Sequence, residues 1–211
     1  MSKVVKVWST PDAENLVAYV ARVSNPANQD NAATAPNLIK YLIKNKHWSP
    51  FEMVNVCVEI NTTRDIARQI LRHRSFSFQE FSQRYAVATM FEHRETRLQD
   101  NKNRQNSLLN EDRELARWWE DAQETVIDLS TMVYQKALEQ GIAKEVARAV
   151  LPEGNTTSRM YMNGSLRSWL HYIDIRCDQA TQKEHREVAE QCRTIIYELF
   201  PSIKETLDEL Q

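Results

Sequence analysis

Glycine is scarce in this chain, and that scarcity limits which nucleotide-binding folds it can adopt. The 211 residues include only Gly141, Gly154 and Gly164. Both the dinucleotide fingerprint and the P-loop need clustered glycines at fixed offsets, because backbone N–H groups must approach the phosphates closely. No such cluster exists here, so any phosphate group has to be neutralised by side chains.

Such side chains are concentrated in the segment 72–85. Its charged residues are Arg72, His73, Arg74, Glu80 and Arg84, and its interleaved aromatic residues are Phe76, Phe78, Phe81 and Tyr85. A guanidinium group binds phosphate or carboxylate bidentately, and each charge-assisted hydrogen bond contributes about 1.5–3 kcal/mol. A solvated charged face would not alternate with apolar rings, so the segment predicts a site for a multiply phosphorylated ligand.

Composition bounds the class of protein. The formal charge of −2 argues against a general nucleic-acid binder, and the 42% apolar residues are enough for one sizeable core. No linker-like stretch divides the chain, which predicts a single domain over residues 1–211. No run approaches the roughly 20 apolar residues of a membrane span, and the first six residues lack the apolar core of a signal peptide. We therefore expect no membrane association and a cytoplasmic location, which for a viral protein means the host cytoplasm.

The cysteines carry no recognisable motif. Cys57, Cys177 and Cys192 are odd in number and lack the C-x-x-C spacing of redox and zinc sites. A zinc site could be assembled from Cys177, His185 and Cys192, but these spacings match no common metal pattern. The sequence predicts no metal site.

Periodicity predicts an α/β (α+β) fold. Strands are expected at 3–8, at 52–60 and at 156–162, the second with Val54, Val56, Val58 and Ile60 on a buried face and with antiparallel partners. Helices are expected before Ser24, around Leu38–Ile43, from 63 to 72, from Leu115 to Gly141, around 146–150, from Gly164 to Arg176, and from Thr181 to Pro201. The polar stretch 92–107 is expected to be a long loop, either a binding element or a mobile surface. Trp118 and Trp119 are expected in the core or in a subunit interface.

Two helical segments carry polar groups on defined faces. Gln69 and Arg72 lie three residues apart and can reach one ligand. Arg167, His171 and Asp174 form a polar stripe, whereas Arg176 falls at the edge of the apolar face. A partly desolvated arginine is costly without an anionic partner, so Arg176 is expected to face a ligand. An internal salt bridge, for example to Asp178, is the alternative.

Several motifs resemble those of the flavin-dependent thymidylate synthases. The order R-H-R-x7-S is present as Arg72-His73-Arg74 with Ser82, and Arg84-Tyr85 follow it. Further agreement lies in His47–Glu52, Arg148–Pro152, Gly164–Ser168 and Gln182–Arg186, so that the resemblance covers roughly residues 3–200. One departure is Gln79, which stands where asparagine is usual.

The resemblance implies reductive methylation of dUMP to dTMP. The carbon would come from 5,10-methylenetetrahydrofolate, and FAD reduced by NADPH would supply the hydride. The implied fold is a mixed or antiparallel sheet flanked by long helices, without a Rossmann fold. The implied assembly is a homotetramer with active sites shared between subunits.

The resemblance also assigns residues to ligands. Those expected to contact FAD are Ser49, Arg72, His73, Arg74, Glu80, Ser165, Leu166, Arg167 and His171. Those expected to line the dUMP pocket are Gln69, Ile70, Leu71, Arg72, Glu80, Phe81, Ser82, Gln83, Arg84, Arg148 and Arg176.

The implied chemistry uses no cysteine nucleophile. Arg176 is expected to stabilise negative charge that develops at the N3–C4–O4 region of the uracil, in the manner of an oxyanion hole. Ser82 has no base beside it in the motif, so it is expected to contact dUMP rather than to attack it. His73 lies between two arginines, which should lower its proton affinity and keep it neutral.

Two other functions use the same residues. Arg72, Arg74 and Arg84 with stacking Phe76, Phe78 and Tyr85 could form a single-stranded nucleic-acid binding module. Alternatively, the protein could be a structural oligomer built on the Trp118–Trp119 helix, with its arginines in salt bridges.

Overall fold

The computed structural model describes residues 2–88 and 90–210. Its strands are β1 (Lys3–Ser9), β2 (Asn55–Thr63), β3 (Phe76–Glu80), β4 (Arg97–Gln99), β5 (Ser107–Leu109) and β6 (Thr157–Ser165). A four-stranded sheet has the order β1-β2-β6-β3, and each neighbouring pair is antiparallel. Strands β4 and β5 form a separate antiparallel pair. The predicted α/β class and antiparallel sheet are confirmed.

Helices cover this sheet and complete the core. They are α1 (Ala13–Ala21), α2 (Ala35–Lys44), α3 (Arg64–Ile70), α4 (Arg113–Glu139), α5 (Lys144–Ala147), α6 (Leu166–Arg176), α7 (Lys183–Leu199) and α8 (Pro201–Asp208). Short 3₁₀ helices occupy Pro26–Asn28, Ala32–Thr34, Ser49–Met53 and Arg148–Val150. Within the described residues, no helix has the length and apolar character needed to cross a membrane.

The alternating pattern of β2 places one side of the strand in the core. Val56, Val58 and Ile60 are fully buried, whereas Glu59 and Asn61 are partly exposed. In β6, Met162 lies opposite Val58 and Met160 opposite Ile60, which extends the apolar face across the strand pair. Burial of these side chains fixes the register, because a slip by one residue would turn them towards solvent.

Helix α6 begins directly where β6 ends. The hydroxyl of Ser165 caps the helix by accepting a hydrogen bond from the Ser168 N–H at 3.3 Å. One turn later the buried Trp169 donates its indole N–H to the Val56 carbonyl at 3.0 Å. These two contacts fix α6 against the sheet, so that Arg167 and His171 are exposed and Arg176 lies at the last turn.

Two predicted boundaries were wrong: the start of the second strand, and the start of the helix expected from Gly164, which begins only at Leu166 because Gly164 lies in β6. Glu52 and Met53 belong to the 3₁₀ helix Ser49–Met53, with proline in its first turn, and the strand begins only at Asn55. The helix expected to end at Pro201 ends at Leu199, and Pro201 is the first residue of a further helix, α8, that was not predicted. Proline is favoured at that position since its missing N–H needs no partner there.

The segment 92–107 was predicted to be a long loop, but part of it is regular secondary structure. It contains β4 and the start of β5, and ion pairs fasten it to the start of α7. Arg97 lies 2.6 Å from Glu184, and Glu95 lies 2.5 Å from Lys183. The segment has little apolar surface of its own, and it is held by charges on a distant part of the chain.

Helix α4 runs where it was predicted, but the buried face is not the one expected. Its buried residues are Gln123, Ile127, Ser130 and Tyr134. The apolar stripe is exposed instead, with Trp118 at 61%, Val126 at 51% and Leu129 at 57%. The prediction that Trp118 lies in the core of the chain is therefore wrong, and a subunit interface remains a prediction.

Gly164 lies in β6 directly opposite Phe76 of β3, and we expect Gly164→Ala to destabilise the fold. A Cβ atom at this position would lie 2.4 Å from Phe76 Cδ1. The ring cannot move freely, because it packs against Trp169 at a centroid distance of 4.8 Å. The expected loss in the free energy of unfolding is about 1–3 kcal/mol, measured by urea denaturation. Gly154→Ala is the matched control, since a Cβ there meets no atom within 4 Å, and equal losses in the two variants would contradict the prediction.

Candidate active site

The turn between α3 and β3 carries Arg72, His73 and Arg74. Helix α3 ends as the His73 N–H bonds to the Ile70 carbonyl at 3.0 Å, and this turn points successive side chains in different directions. Arg72 and Arg74 are exposed, and within residues 2–88 and 90–210 neither forms a salt bridge. Two cationic groups are therefore free to bind an anion, as predicted for a phosphate site.

Arg176 contacts His73 rather than an acidic group. The Arg176 Nε donates to His73 Nε2 at 2.9 Å, so this imidazole nitrogen must be unprotonated. Burial, and then the charge of Arg176, lowers the pKa of His73 to about 4. His73 was predicted to be neutral, and the lowered pKa agrees with that prediction. Burial, however, lowers the pKa more than the neighbouring arginines do. The alternative salt bridge from Arg176 to Asp178 is not found among the described residues.

Gln69 lies beside this pair and is held by His185 of α7 and by Gln182, which directly precedes that helix. Its amide nitrogen donates to Gln182 Oε1 at 2.8 Å, and its oxygen lies 3.3 Å from Nδ1 of His185. Arg176 also lowers the pKa of the buried His185, after burial itself, to about 3. Gln69 and Arg176, both expected to line the dUMP pocket, thus lie in one region and are linked through His73 and His185.

A cavity of about 760 Å³ opens on the other side of α6. Arg167 and His171 line it, as do Ser168 and Ser75, and its remaining walls combine apolar and charged side chains. Glu52 accepts hydrogen bonds from Arg167 at 3.0 Å and from the Ser165 hydroxyl at 2.5 Å. The predicted FAD residues Ser165, Arg167 and His171 are therefore neighbours. Leu166 is buried in the core, and Ser49 is exposed in the 3₁₀ helix beside Trp48, which lines the cavity.

A third group gathers around Glu145. Arg84 Nε bonds to its carboxylate at 3.1 Å, and Arg148 Nε donates to its backbone carbonyl at 3.3 Å. Ser82 and the buried Gln83 lie on the same turn as Arg84, and the Gln83 amide nitrogen has no partner among the described residues. Arg84 and Arg148 were both predicted to bind dUMP, and the structure places them together.

Glu80, expected to contact both ligands, has partners within the chain. Its carboxylate accepts from the Ser158 hydroxyl at 2.7 Å and lies 3.7 Å from Arg64. The next residue, Phe81, is partly buried, and its N–H bonds to the Arg159 carbonyl. Ile70 is fully buried and Leu71 packs against the core, so any contribution of these two to a pocket is through shape or backbone.

Sequence reasoning missed Glu52 and His185 as site residues. Glu52 had been assigned to the strand that follows, although a carboxylate in the motif His47–Glu52 was a usable signal. His185 had been quoted only as part of the motif Gln182–Arg186 and of an unfavoured zinc set with Cys177 and Cys192. Its role depends on the approach of α7 to α3 and α6, which no local pattern reports.

The cysteines show no sign of activation. Burial raises the pKa of the Cys57, Cys177 and Cys192 thiols, which disfavours the nucleophilic thiolate. Within the described residues, no three His, Cys, Asp or Glu side chains converge as metal ligands would.

The depressed pKa of His73 predicts acid destabilisation. Below about pH 6.5, His73 of the unfolded chain binds a proton, whereas His73 of the folded chain binds one only when the pH falls to about 4. The stabilisation from neutral His73 is therefore complete above about pH 6.5 and is lost as the pH falls towards 4. We expect His73→Gln, which keeps an acceptor for Arg176, to show a shallower decline in the free energy of unfolding over this range. Urea denaturation at stepped pH measures it, and equal slopes in the variant and the wild type would contradict the prediction.

Comparisons with known proteins bear on this arrangement. The sequence profile of a family described as thymidylate synthase complementing protein matches residues 3–202. A flavin-dependent thymidylate synthase of Synechocystis sp. is 54% identical over 198 residues, which cover 92% of this chain and 89% of that protein. A probable flavin-dependent thymidylate synthase of Paramecium bursaria Chlorella virus 1 is 51% identical over 198 residues, with 93% and 91% covered.

A solved structure has the same architecture. It is a UMP/dUMP methylase, PolB, from Streptomyces cacaoi, bound with 5-Br dUMP. Its TM-score is 0.87 at 26% identity, and the match covers 99% of this chain and 95% of that chain. The profile, the relatives and the fold agree with the motifs, and the chain belongs to the thymidylate synthase complementing protein family, that of the flavin-dependent thymidylate synthases.

Proposed function

We propose that this protein methylates dUMP to dTMP, with 5,10-methylenetetrahydrofolate as the carbon donor and NADPH-reduced FAD as the source of hydride. The observation that carries the proposal is Arg176, a half-buried guanidinium that contacts neutral His73 instead of a carboxylate. Its charge is not neutralised within the described chain, so it is available to an anionic or electron-rich group. The names of the relatives, and the brominated dUMP of the solved structure, support the same substrate.

The residues present fit a flavin dinucleotide. Its diphosphate needs cationic side chains in a chain without a glycine-rich cradle, and the exposed Arg72 and Arg74 are unpaired in the described residues. Arg167, His171 and Ser168 line a cavity of about 760 Å³ whose other walls combine apolar side chains with the charged Lys46, Glu52, Asp174 and Arg193, and its apolar part suits a flat aromatic group. Bound FAD would supply the hydride. We assign no residue to NADPH or to the folate.

Arg176 would act on the uracil ring. Its guanidinium would stabilise negative charge at the N3–C4–O4 edge as that charge develops. His73 contributes by accepting the Nε–H bond, which orients the remaining N–H groups of Arg176 away from the imidazole. Because His73 is neutral, it does not compete with Arg176 for an anionic group of the ligand.

Arg84 and Arg148 would bind the phosphate of dUMP, beside Ser82 and Gln83. The Ser82 hydroxyl accepts the Arg84 N–H at 3.3 Å, and no histidine or carboxylate hydrogen-bonds to it in the described residues. This supports a binding role for Ser82, since a serine nucleophile needs an adjacent base.

We also propose a homotetramer with shared sites. In the described residues no hydrogen bond or ion pair connects the Arg84–Arg148 group with the Arg176 group, so a pocket that uses both can be completed by a second subunit. The exposed apolar stripe of α4, with Trp118, Val126 and Leu129, offers a surface for such a contact. Each subunit would be one catalytic domain over residues 1–211, acting in the cytoplasm.

The nucleic-acid alternative is not favoured. Phe76, which was to stack on a base, is only 8% exposed and packs against Trp169 and Tyr172. Phe78 is partly buried and packs against the core. Tyr85 is exposed at 84%, but one exposed ring makes no stacking platform.

The proposed reaction is tested by tritium release from dUMP labelled at C5. We expect release only when FAD, NADPH and methylenetetrahydrofolate are all present, with one dTMP formed per tritium lost. Omission of each component in turn is the control. Release without the folate or without a reductant, or a colourless protein that cannot be loaded with flavin, would refute the proposal.

Arg176→Ala separates catalysis from flavin binding. We expect bound flavin, measured by visible absorbance, to remain, while turnover falls roughly 10²–10³-fold, as for the loss of one oxyanion-hole donor. Arg68→Ala on α3 is the matched control, because that arginine is exposed and its one ion pair among the described residues is with Glu153. Turnover near the wild-type value in Arg176→Ala would remove Arg176 from the mechanism.

A further inference from the structure

His185 is a buried histidine for which the proposed reaction has no direct use. It lies on α7 with no exposed surface, and both ring nitrogens have partners. Nδ1 lies 3.3 Å from Gln69 Oε1 on α3, and Nε2 lies 3.2 Å from the Tyr172 hydroxyl on α6. The imidazole thus joins three helices at the side of the site that contains Arg176.

The partners of His185 determine where its proton lies. An amide oxygen can only accept, so Nδ1 must carry the hydrogen and donate to Gln69. Nε2 is then the acceptor for the Tyr172 O–H. Burial and the nearby Arg176 lower the pKa of His185 to about 3, so the ring is neutral at neutral pH and carries one proton, which the contact with Gln69 places on Nδ1.

The side-chain amide of Gln69 is held between Gln182 and His185. Gln182 donates its own amide N–H to Glu184 at 3.0 Å, so its oxygen faces Gln69 and requires a donor there. The Gln69 oxygen accepts from His185, and its nitrogen donates to Gln182 Oε1 at 2.8 Å. Rotation of the amide by half a turn would set donor against donor at His185 and acceptor against acceptor at Gln182. One N–H and one lone pair of Gln69 remain for a ligand, and their relative positions are set.

We infer that His185, together with Gln182, is a positioning residue that presents the amide of Gln69 to the nucleotide substrate in one orientation. The inference rests on the proposed function, in which Gln69 contacts dUMP. A mobile amide would have to be ordered on binding, and the cost of that ordering would weaken affinity. The buried histidine removes this cost before the substrate arrives.

Two variants with the same branched four-atom side-chain skeleton test the inference. His185→Leu and His185→Asn both remove the imidazole, but the asparagine amide can still donate from the position of Nδ1. In the flavin-loaded protein, we expect the Kd for dUMP, measured by calorimetry, to rise roughly tenfold in His185→Leu, as for the loss of one good hydrogen bond. His185→Asn should recover most of that loss, whereas flavin content should be unchanged in both variants.

A general structural role would give a different pattern. If His185 only supports the fold, the two variants should weaken dUMP binding equally, and that result would overturn the inference. In a Gln69→Ala background, His185→Leu should cause no further loss of dUMP affinity. A full additional loss there would also overturn the inference.

Two further observations keep the outcomes separable. Gln182→Ala removes the other partner of the Gln69 amide and changes an exposed residue, so this variant can be used if His185→Leu does not fold. Unchanged dUMP affinity in Gln182→Ala would then count against the inference. Absence of dUMP binding in the wild-type protein would refute the proposed function itself. Wild-type binding with an unaffected His185→Leu variant would refute only the role of His185.

Discussion

The direct passage from β6 into α6 is the constraint on which the site depends. β6 lies between β2 and β3, and its last residue, Ser165, caps the helix that follows. The indole of Trp169 bonds back to the Val56 carbonyl of β2, so helix and sheet cannot shift independently. Since α6 carries Arg167 and His171 near its start and Arg176 at its end, this junction decides which side of the protein each of them serves.

The electrostatics of the site follow from burial. Two histidines, His73 and His185, lie close to Arg176, and burial is the largest cause of the low pKa of each. Their neutrality lets them act as oriented hydrogen-bonding groups beside a permanent cation. Protonated imidazoles in the same places would repel the guanidinium and any cationic neighbour, and would compete with it for the ligand.

The candidate site shows where local reasoning succeeds. The arginines of the segment 72–85 were found from charge and aromatic spacing, and the buried face of β2 was found from its alternation. Much of the assignment of residues to flavin or nucleotide came from the motif resemblance and remains a prediction. His185 escaped notice because a lone histidine on a helix looks the same in sequence whether it packs in a core or orients a ligand-binding amide.

Other failures have a common physical cause. The stretch 92–107 was expected to be irregular because its own residues bury little, yet Glu184 and Lys183 on α7 hold it in place. On α4, apolar periodicity identified the helix but not its buried face, since Gln123 and Ser130 turn inwards while Trp118 and Leu129 stay exposed. Contacts between distant segments decided both outcomes.

The amino-acid sequence by itself determined the class of fold, the strand and helix periods, the lack of a glycine-lined phosphate cradle, and the cluster of guanidinium groups that replaces it. These properties are local, because they depend on residue type and on spacing along the chain. Only the tertiary structure decided that Arg176 meets His73, that Arg84 reaches Glu145 beside Arg148, and that His185 holds Gln69. Each of these contacts joins segments far apart in sequence, and their approach is set by the packing of the whole core.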